Sequence, residues 1–175
     1  MSTDELHKMR HSLAHIMAQA VQHLWPQAKF GVGPAIDDGF YYDIDLGGAT
    51  ISEDDFPKIE KEMKKIIAAN YPFERRDVPI EDAITWAERN HQVFKLELLN
   101  DLKRSGTTVA KELVGEDLGS VTDRDSKLKT VSLYSQGDYT DLCRGGHADS
   151  TGKVGAFKLM RVAGAYWRGD EKRQQ

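Results

Sequence analysis

The chain has 175 residues, a formal net charge of −4 at pH 7 and one cysteine. Hydrophobic residues make up 39% of it, which is enough to fill a core, so a disordered protein is not expected. The apolar runs are shorter than the roughly 18 residues of a membrane-spanning helix, and a lone cysteine without a signal-peptide pattern indicates the cytoplasm. The net charge does not favour a nucleic-acid binder, but the basic segment 153–175 offers a local edge for a phosphate backbone.

The first predicted element is a long amphipathic helix over residues 4–24, which Pro26 prevents from continuing. His11 and His15 lie nearly opposite its apolar stripe, beside Ala18 and Gln22. A fully exposed face would normally carry lysine and glutamate, so this composition indicates the lining of a cleft. Two solvent-exposed histidines are the alternative.

A β-hairpin is expected next. Residues 30–36 and 40–46 flank Asp37-Asp38-Gly39, where the glycine would supply a positive φ. The pair Gly47-Gly48 should end the second strand.

The middle of the chain is predicted to be mainly helical. A helix capped by Ser52 should stop before Tyr71, and a short strand over 73–78 should lead through Pro79 into a helix over 81–90. Residues 93–102 are ambiguous between strand and helix, and we favour a helix. The stretch 105–125 is polar and rich in glycine, which indicates loops.

Strands are expected again towards the end of the chain. Residues 128–135 alternate like a strand, and 155–167 indicates one or two more, with Ala163-Gly164-Ala165 allowing close backbone approach. Helices and antiparallel hairpins in mixed order predict an α+β fold. The loop carrying Cys143 would then approach the histidine face of the first helix.

The spacing of Cys143 and His147 repeats that of His11 and His15. Three imidazoles and a thiol are the groups of a tetrahedral metal site or of a hydrolytic pocket. The two pairs lie far apart in sequence, so the fold has to bring them together. Both kinds of site stay open from the residues alone.

Five motifs occur in the order and spacing of one known family. They are His11-Ser-Leu-Ala-His15, Gly39-Phe-Tyr-Tyr-Asp43, Phe94-Lys95, the run from Tyr139 to His147, and the run from Phe157 to Asp170. Together they resemble the editing domain of bacterial threonyl-tRNA synthetase over nearly the whole chain. The editing domain of alanyl-tRNA synthetase is a more distant relative.

The resemblance implies an α+β editing domain with an antiparallel sheet and a long N-terminal helix that lines the active-site cleft. Its core would comprise about 1–50 and 128–170, with an inserted subdomain at about 51–127. Many members have proline where Gly146 stands, and we expect this change to loosen the loop without moving the candidate ligands Cys143 and His147.

The function implied is hydrolysis of the ester of mischarged Ser-tRNA(Thr), with the 3′ end of tRNA(Thr) as partner. The parent enzyme would be a threonine–tRNA ligase whose catalytic domain binds ATP and threonine. We expect no aminoacylation by this chain alone, because it lacks the class II signature. The polar end at 171–175 favours a fragment over a freestanding editing hydrolase, and the rival function is a non-catalytic tRNA-binding or zinc-stabilised module.

Two basic side chains would carry the chemistry. His11 is our choice for the general base, because imidazole titrates near neutral pH. Lys95 matches the catalytic lysine of the family. As a base it would need its pKa lowered by about 3 units, so we assign it an electrostatic role instead.

The remaining site residues would bind the substrate or shape the pocket. Asp141 would accept hydrogen bonds from the serine ammonium group, and Tyr42 would bind the adenosine or the amino acid. His15, Cys143 and His147 would shape the amino-acid pocket.

Zinc is the alternative for the same residues. Its ligands would be His11, His15, Cys143 and His147, and His11 could not then act as a base. The resemblance implies metal-free hydrolysis on the threonyl side and zinc on the alanyl side. We therefore expect that hydrolysis requires no cofactor.

Overall fold

The computed structural model describes residues 2–105 and 130–170. Its longest helix, α1 (Thr3–Leu24), begins where the Ser2 hydroxyl accepts a hydrogen bond from the Glu5 backbone N–H, and it ends just before Pro26. The face that carries His11 and His15 is buried, not exposed. The predicted helix and its cleft-lining face are therefore confirmed.

Two short antiparallel pairs follow α1. They are β1 (Lys29–Phe30) with β4 (Ile44–Asp45), and β2 (Ala35–Ile36) with β3 (Gly39–Phe40). Backbone hydrogen bonds between Asp43 and its partners Gly31 and Val32 join them into one interrupted hairpin. The predicted hairpin is confirmed.

One detail of that prediction was wrong. Gly39 does not have a positive φ, because it is a strand residue paired with Ile36, and Asp37-Asp38 alone forms the turn. The positive φ values occur later, at Gly47 (+65°) and Gly48 (+103°), where the hairpin ends as predicted.

The central elements agree with the predictions made from spacing and capping. A 3₁₀ turn at Glu53–Asp55 precedes the next helix, with the Ser52 N–H donating to Asp55 Oδ2 at 2.9 Å. The elements that follow are α2 (Phe56–Ala69), β5 (Glu74–Pro79), α3 (Ile80–Arg89) and α4 (Val93–Ser105). The segment 93–102, which was ambiguous between strand and helix, is thus part of a helix. The loops predicted over 105–125 lie almost entirely outside the described residues.

The largest sheet is antiparallel, with strand order β5-β6-β7. Its other strands are β6 (Thr130–Gln136) and β7 (Tyr139–Leu142), which meet at Gly137 with φ +56°. In this register Val78 lies opposite Val131, and Leu133 lies opposite Leu142. Cys143 therefore follows directly from the end of β7.

The strands predicted over 155–167 are wrong. In the described part of the chain, residues 154–166 form no strand and lie between 3₁₀ turns at Thr151–Lys153 and Trp167–Gly169. Phe157 and Leu159 are half-buried against the core, while Met160 is 78% exposed. The Leu159 N–H donates to a carboxylate oxygen of Glu60, not to a strand. The apolar alternation thus reflects a segment that lies across the core without pairing with a neighbouring strand.

The apolar core has two clusters. One joins α1, α2 and the interrupted hairpin around Ile16, Met63 and Phe30. The other joins α3, α4 and β6 around Leu98, Leu99 and Leu133. Helices and antiparallel strands in this mixed order confirm the α+β class. None of the described helices is long and apolar enough to cross a membrane.

Candidate active site

A pocket lies where the two core clusters meet. Its cavity of about 30 Å³ has room for about two water molecules. The lining residues come from α1, the hairpin, α4 and the end of β7: His11, His15, Val32, Gly33, Pro34, Tyr42, Lys95, Asp141, Leu142 and Cys143. The fold thus gathers six of the seven predicted site residues around one small cavity, and the seventh, His147, contacts them.

The thiol of Cys143 joins the two motif pairs. Its Sγ lies 3.5 Å from Nε2 of His11 and 3.4 Å from Nε2 of His147. The backbone N–H of Gly145 also donates to Sγ, at 3.3 Å. The predicted approach of the cysteine loop to the histidine face of α1 is therefore confirmed.

The two glycines of this loop both have left-handed backbone. Gly145 has φ +113° and Gly146 has φ +80°. Proline, whose φ is fixed near −65°, cannot adopt the conformation of Gly146. A Cβ at Gly145 would lie 2.3 Å from Oη of Tyr134, so that position also needs glycine for space.

The ring of His147 is fixed by aromatic neighbours and by Ser12. It stacks on Phe73 with a centroid distance of 4.6 Å and an interplanar angle of 2°, and on His11 at 4.2 Å. Its Nδ1 lies 3.3 Å from Oγ of Ser12. Burial, and then the neighbouring His15 and His11, lower the pKa of His147 far below its usual value, so the ring is neutral at physiological pH.

Asp141 is a buried carboxylate with donors on both oxygens. Oδ1 accepts from Nζ of Lys95 at 2.8 Å and from the Leu142 N–H at 2.8 Å, and the Tyr42 hydroxyl donates to Oδ2. Lys95 also donates to the Tyr42 oxygen at 3.1 Å. Burial, and then the charge of Asp141, raise the pKa of Tyr42 well above its usual value, so the phenol keeps the proton that it donates.

His15 forms an uncharged wall of the pocket. Its Nε2 lies 3.6 Å from Oδ2 of Asp141, which is too long for a hydrogen bond. Burial, and then the nearby His11 and Lys95, lower the pKa of His15 well below its usual value. Gln136 donates to the His15 carbonyl at 3.2 Å and ties this turn of α1 to β6.

The predicted zinc ligands are also close enough to hold a metal ion. One ligand atom from each of His11, His15, Cys143 and His147 lies within 4.8 Å of the others. Three imidazoles and a thiolate suit tetrahedral Zn²⁺. Four protein ligands would make a closed, structural type of site, so the residues fit zinc in that role.

Three contributors escaped the sequence analysis. Ser12 lies three residues before His15 and so shares its helix face, a signal that was present in the first motif. Gly33 makes room for Tyr42, whose ring would lie 2.1 Å from a Cβ there. Phe73 gave no signal, because its contact with His147 depends entirely on tertiary structure.

Comparison with known proteins shows a family similarity over the last part of the chain. Residues 131–175 match the family model of the threonyl and alanyl tRNA synthetase second additional domain. This match covers β6, β7 and the cysteine loop, which supply Asp141, Cys143 and His147. The matched segment is thus similar to the class of synthetase domain that the motifs indicated.

The chain is also similar to part of several threonine–tRNA ligases. The threonine–tRNA ligase of Acetivibrio thermocellus is 47% identical over 163 residues, which are 93% of this chain and 22% of that protein. The threonine–tRNA ligase of Bdellovibrio bacteriovorus is 45% identical over 99% of this chain and 23% of that protein. The threonine–tRNA ligase of Listeria monocytogenes serotype 4a is 48% identical over 95% of this chain and 22% of that protein.

These comparisons confirm the resemblance to the editing domain of threonyl-tRNA synthetase. The chain spans less than a quarter of the length of the curated relatives described.

Proposed function

We propose that this chain is an editing domain that hydrolyses the ester of mischarged Ser-tRNA(Thr). The observation that carries the proposal is a pocket in which His11 and Cys143 meet and which the Lys95–Asp141 pair also lines. Threonine and serine differ by one methyl group, which a binding pocket distinguishes by only about 1–3 kcal/mol. A second, hydrolytic site that accepts the smaller amino acid supplies the missing accuracy.

In the reaction, water attacks the ester carbonyl and His11 takes its proton. The ammonium group of Lys95 stabilises the oxyanion of the tetrahedral intermediate. The intermediate collapses by breaking the bond between the carbonyl carbon and the ribose oxygen, and protonated His11 returns its proton to that oxygen, which gives free serine and the ribose hydroxyl of the terminal adenosine. The buried ion pair with Asp141 supports a charged Lys95 in this role, because an uncharged amine would leave the carboxylate unpaired.

Substrate selection follows from the size and polarity of the pocket. A cavity of about 30 Å³ with walls from His15 and Cys143 favours a small side chain. Asp141 would accept hydrogen bonds from the serine ammonium group. Tyr42 and Lys95 hold the Asp141 carboxylate in place for this role. Tyr42 would also contact the adenosine or the amino acid.

We propose that the hydrolysis requires no cofactor, because the chain itself supplies a base in His11 and a cation in Lys95. Zinc held by the four candidate ligands is the alternative, and it would supply structural rigidity. Elemental analysis of the purified protein distinguishes the two. A content near one zinc per chain would contradict the assignment of His11 as base.

The proposed partners are the 3′ end of tRNA(Thr) and the remainder of a threonine–tRNA ligase, where ATP and threonine would bind. The exposed Lys153, Lys158 and Arg161 supply the basic edge for the tRNA backbone, although Lys158 also pairs with Glu60 at 3.0 Å. Charged tRNA is used in translation, so we place the activity in the cytoplasm.

A deacylation assay with Ser-tRNA(Thr) tests the proposal. The wild type should release serine, and His11→Ala should lower the rate about 10²–10⁴-fold, as expected for loss of a general base. His7→Ala is the matched control, since His7 is an exposed histidine one turn earlier on α1 and should keep the wild-type rate. Binding of tRNA(Thr) without hydrolysis would instead support the non-catalytic, tRNA-binding function.

A further inference from the structure

We propose that Ser12 is a positioning residue that holds the ring proton of His147 on Nε2, where it points at the sulfur of Cys143. The geometry alone supports this tautomer assignment. Only the expected effect on ester hydrolysis rests on the proposed function.

The Ser12 hydroxyl lies between the first helix and the cysteine loop. Ser12 is fully buried, and its Oγ accepts a hydrogen bond from the Ala148 backbone N–H at 2.9 Å. Oγ also lies 3.3 Å from Nδ1 of His147. Within residues 2–105 and 130–170, these two atoms are its hydrogen-bond partners.

The direction of each bond follows from what the partners can donate. A backbone N–H only donates, so the hydroxyl oxygen is the acceptor towards Ala148, and the hydroxyl proton remains for Nδ1 of His147. If Nδ1 carried the proton instead, the buried hydroxyl would have a donor without an acceptor, at a cost of about 1–3 kcal/mol. A neutral imidazole has one N–H, so that N–H is on Nε2.

The consequence lies on the other side of the ring. Nε2 of His147 is 3.4 Å from Sγ of Cys143, and the Gly145 N–H approaches the same sulfur at 3.3 Å. Two N–H groups therefore converge on Sγ and hold the side chain of Cys143 against the pocket. A zinc ion bound through Nε2 of His147 would need the lone pair of that nitrogen, so the tautomer set by Ser12 belongs to the metal-free form of the site.

Long-range ¹H–¹⁵N correlation spectra of histidine-labelled protein at pH 7 test the assignment directly, with His147 identified by the signals lost in His147→Asn. The wild type should show a protonated Nε2 and an unprotonated Nδ1 at His147. Ser12→Ala should give a mixture of tautomers. Ser132→Ala is the matched control, because the Ser132 hydroxyl is also buried but donates to the Cys143 carbonyl at 2.6 Å, and its loss should leave the His147 tautomer unchanged.

Two outcomes would overturn the assignment: a protonated Nδ1 in the wild type, or an unchanged His147 spectrum in Ser12→Ala. A protonated Nδ1 of His147 in the wild type would overturn the assignment even if Ser12→Ala fails to fold, and whether or not the chain hydrolyses esters.

The kinetic consequence is tested separately on Ser-tRNA(Thr). Ser12→Ala should lower kcat about tenfold or more with little change in KM, and Ser12→Thr, which keeps a hydroxyl, should restore both kcat and the tautomer. A change confined to KM would contradict a positioning role.

Discussion

Nζ of Lys95 lies 2.8 Å from Oδ1 of Asp141, and these two side chains are only 3% and 2% exposed. This ion pair joins α4 to the end of β7, so it fixes the two sides of the pocket relative to each other. Because both charges are withdrawn from water, each depends on the other far more than partners at the surface would.

Replacing Lys95 with methionine should therefore destabilise the fold by about 3–5 kcal/mol, because the Asp141 carboxylate would stay buried without its partner. Urea unfolding at pH 7 measures the change. The double variant that also carries Asp141→Asn should lose much less free energy of unfolding than the two single variants lose together. Additive losses would show that the two side chains do not depend on each other.

The proposed catalytic role of Lys95 gives a separate prediction. Lys95→Ala should slow deacylation of Ser-tRNA(Thr) far more than it weakens tRNA binding, because its charge acts on the transition state. Single-turnover rates and binding constants, measured on folded variant protein, separate the two effects. If affinity alone collapses, Lys95 is a tRNA-binding residue.

Arg168 should stabilise the fold more than Arg104, although both contact Asp101. Arg168 is 18% exposed and reaches Glu97 at 2.9 Å and Asp101 at 2.5 Å, whereas the Arg104 side chain is 76% exposed. Arg168→Ala should cost about 1–3 kcal/mol, and Arg104→Ala at most about 1 kcal/mol. Equal losses in urea unfolding would contradict the importance of the buried contact.

The two glycines of the cysteine loop should differ in their tolerance of alanine. Gly145→Ala combines an unfavourable φ of +113° with a Cβ 2.3 Å from Oη of Tyr134. Gly146→Ala has only the backbone cost at φ +80°, since the nearest atom to its Cβ is Nδ1 of His11 at 3.9 Å. We expect about 1–3 kcal/mol of destabilisation at Gly146 and a larger loss at Gly145. Thermal unfolding of the pair would contradict this if Gly146→Ala were the less stable variant.

His23 should make stability depend on pH. It bridges Glu62 at 3.0 Å and Asp138 at 2.9 Å. Burial lowers the pKa of His23, but the hydrogen bonds to Asp138 and Glu62 outweigh it and raise the pKa above its usual value. A raised folded-state pKa gives stabilisation that is complete below the unfolded value of about 6.5 and disappears as the pH rises through the folded-state value.

The carboxylates set the acidic limit of this effect. Bonds from Lys65 and then His23 lower the pKa of Glu62, so the stabilising contribution of Glu62 is lost as the pH falls through its folded-state pKa. His23→Gln should therefore destabilise the protein at pH 6 and have a smaller effect at pH 9, as measured by urea unfolding.

The local elements were predictable because their signals are local. The stripe of α1, the cap at Ser52 and the glycine pair after Leu46 act within a few residues. Pairing across the chain was predictable only through the motifs, since the spacing of His11 and Cys143 says nothing about their meeting. The segment 155–167 shows the limit: its alternation indicates which residues face the core but not whether a strand edge is available. Ser12 and Ala148, separated by 136 positions, show the same limit within the site.

The central claim is that this pocket hydrolyses a seryl ester and spares the threonyl one. The most direct test compares the rates at which the wild-type chain deacylates Ser-tRNA(Thr) and Thr-tRNA(Thr) under identical conditions. The predicted result is release of serine about 10–200-fold faster than release of threonine, the discrimination expected for one methyl group. Equal rates for the two esters, or no acceleration of either over the reaction without protein, would contradict the claim.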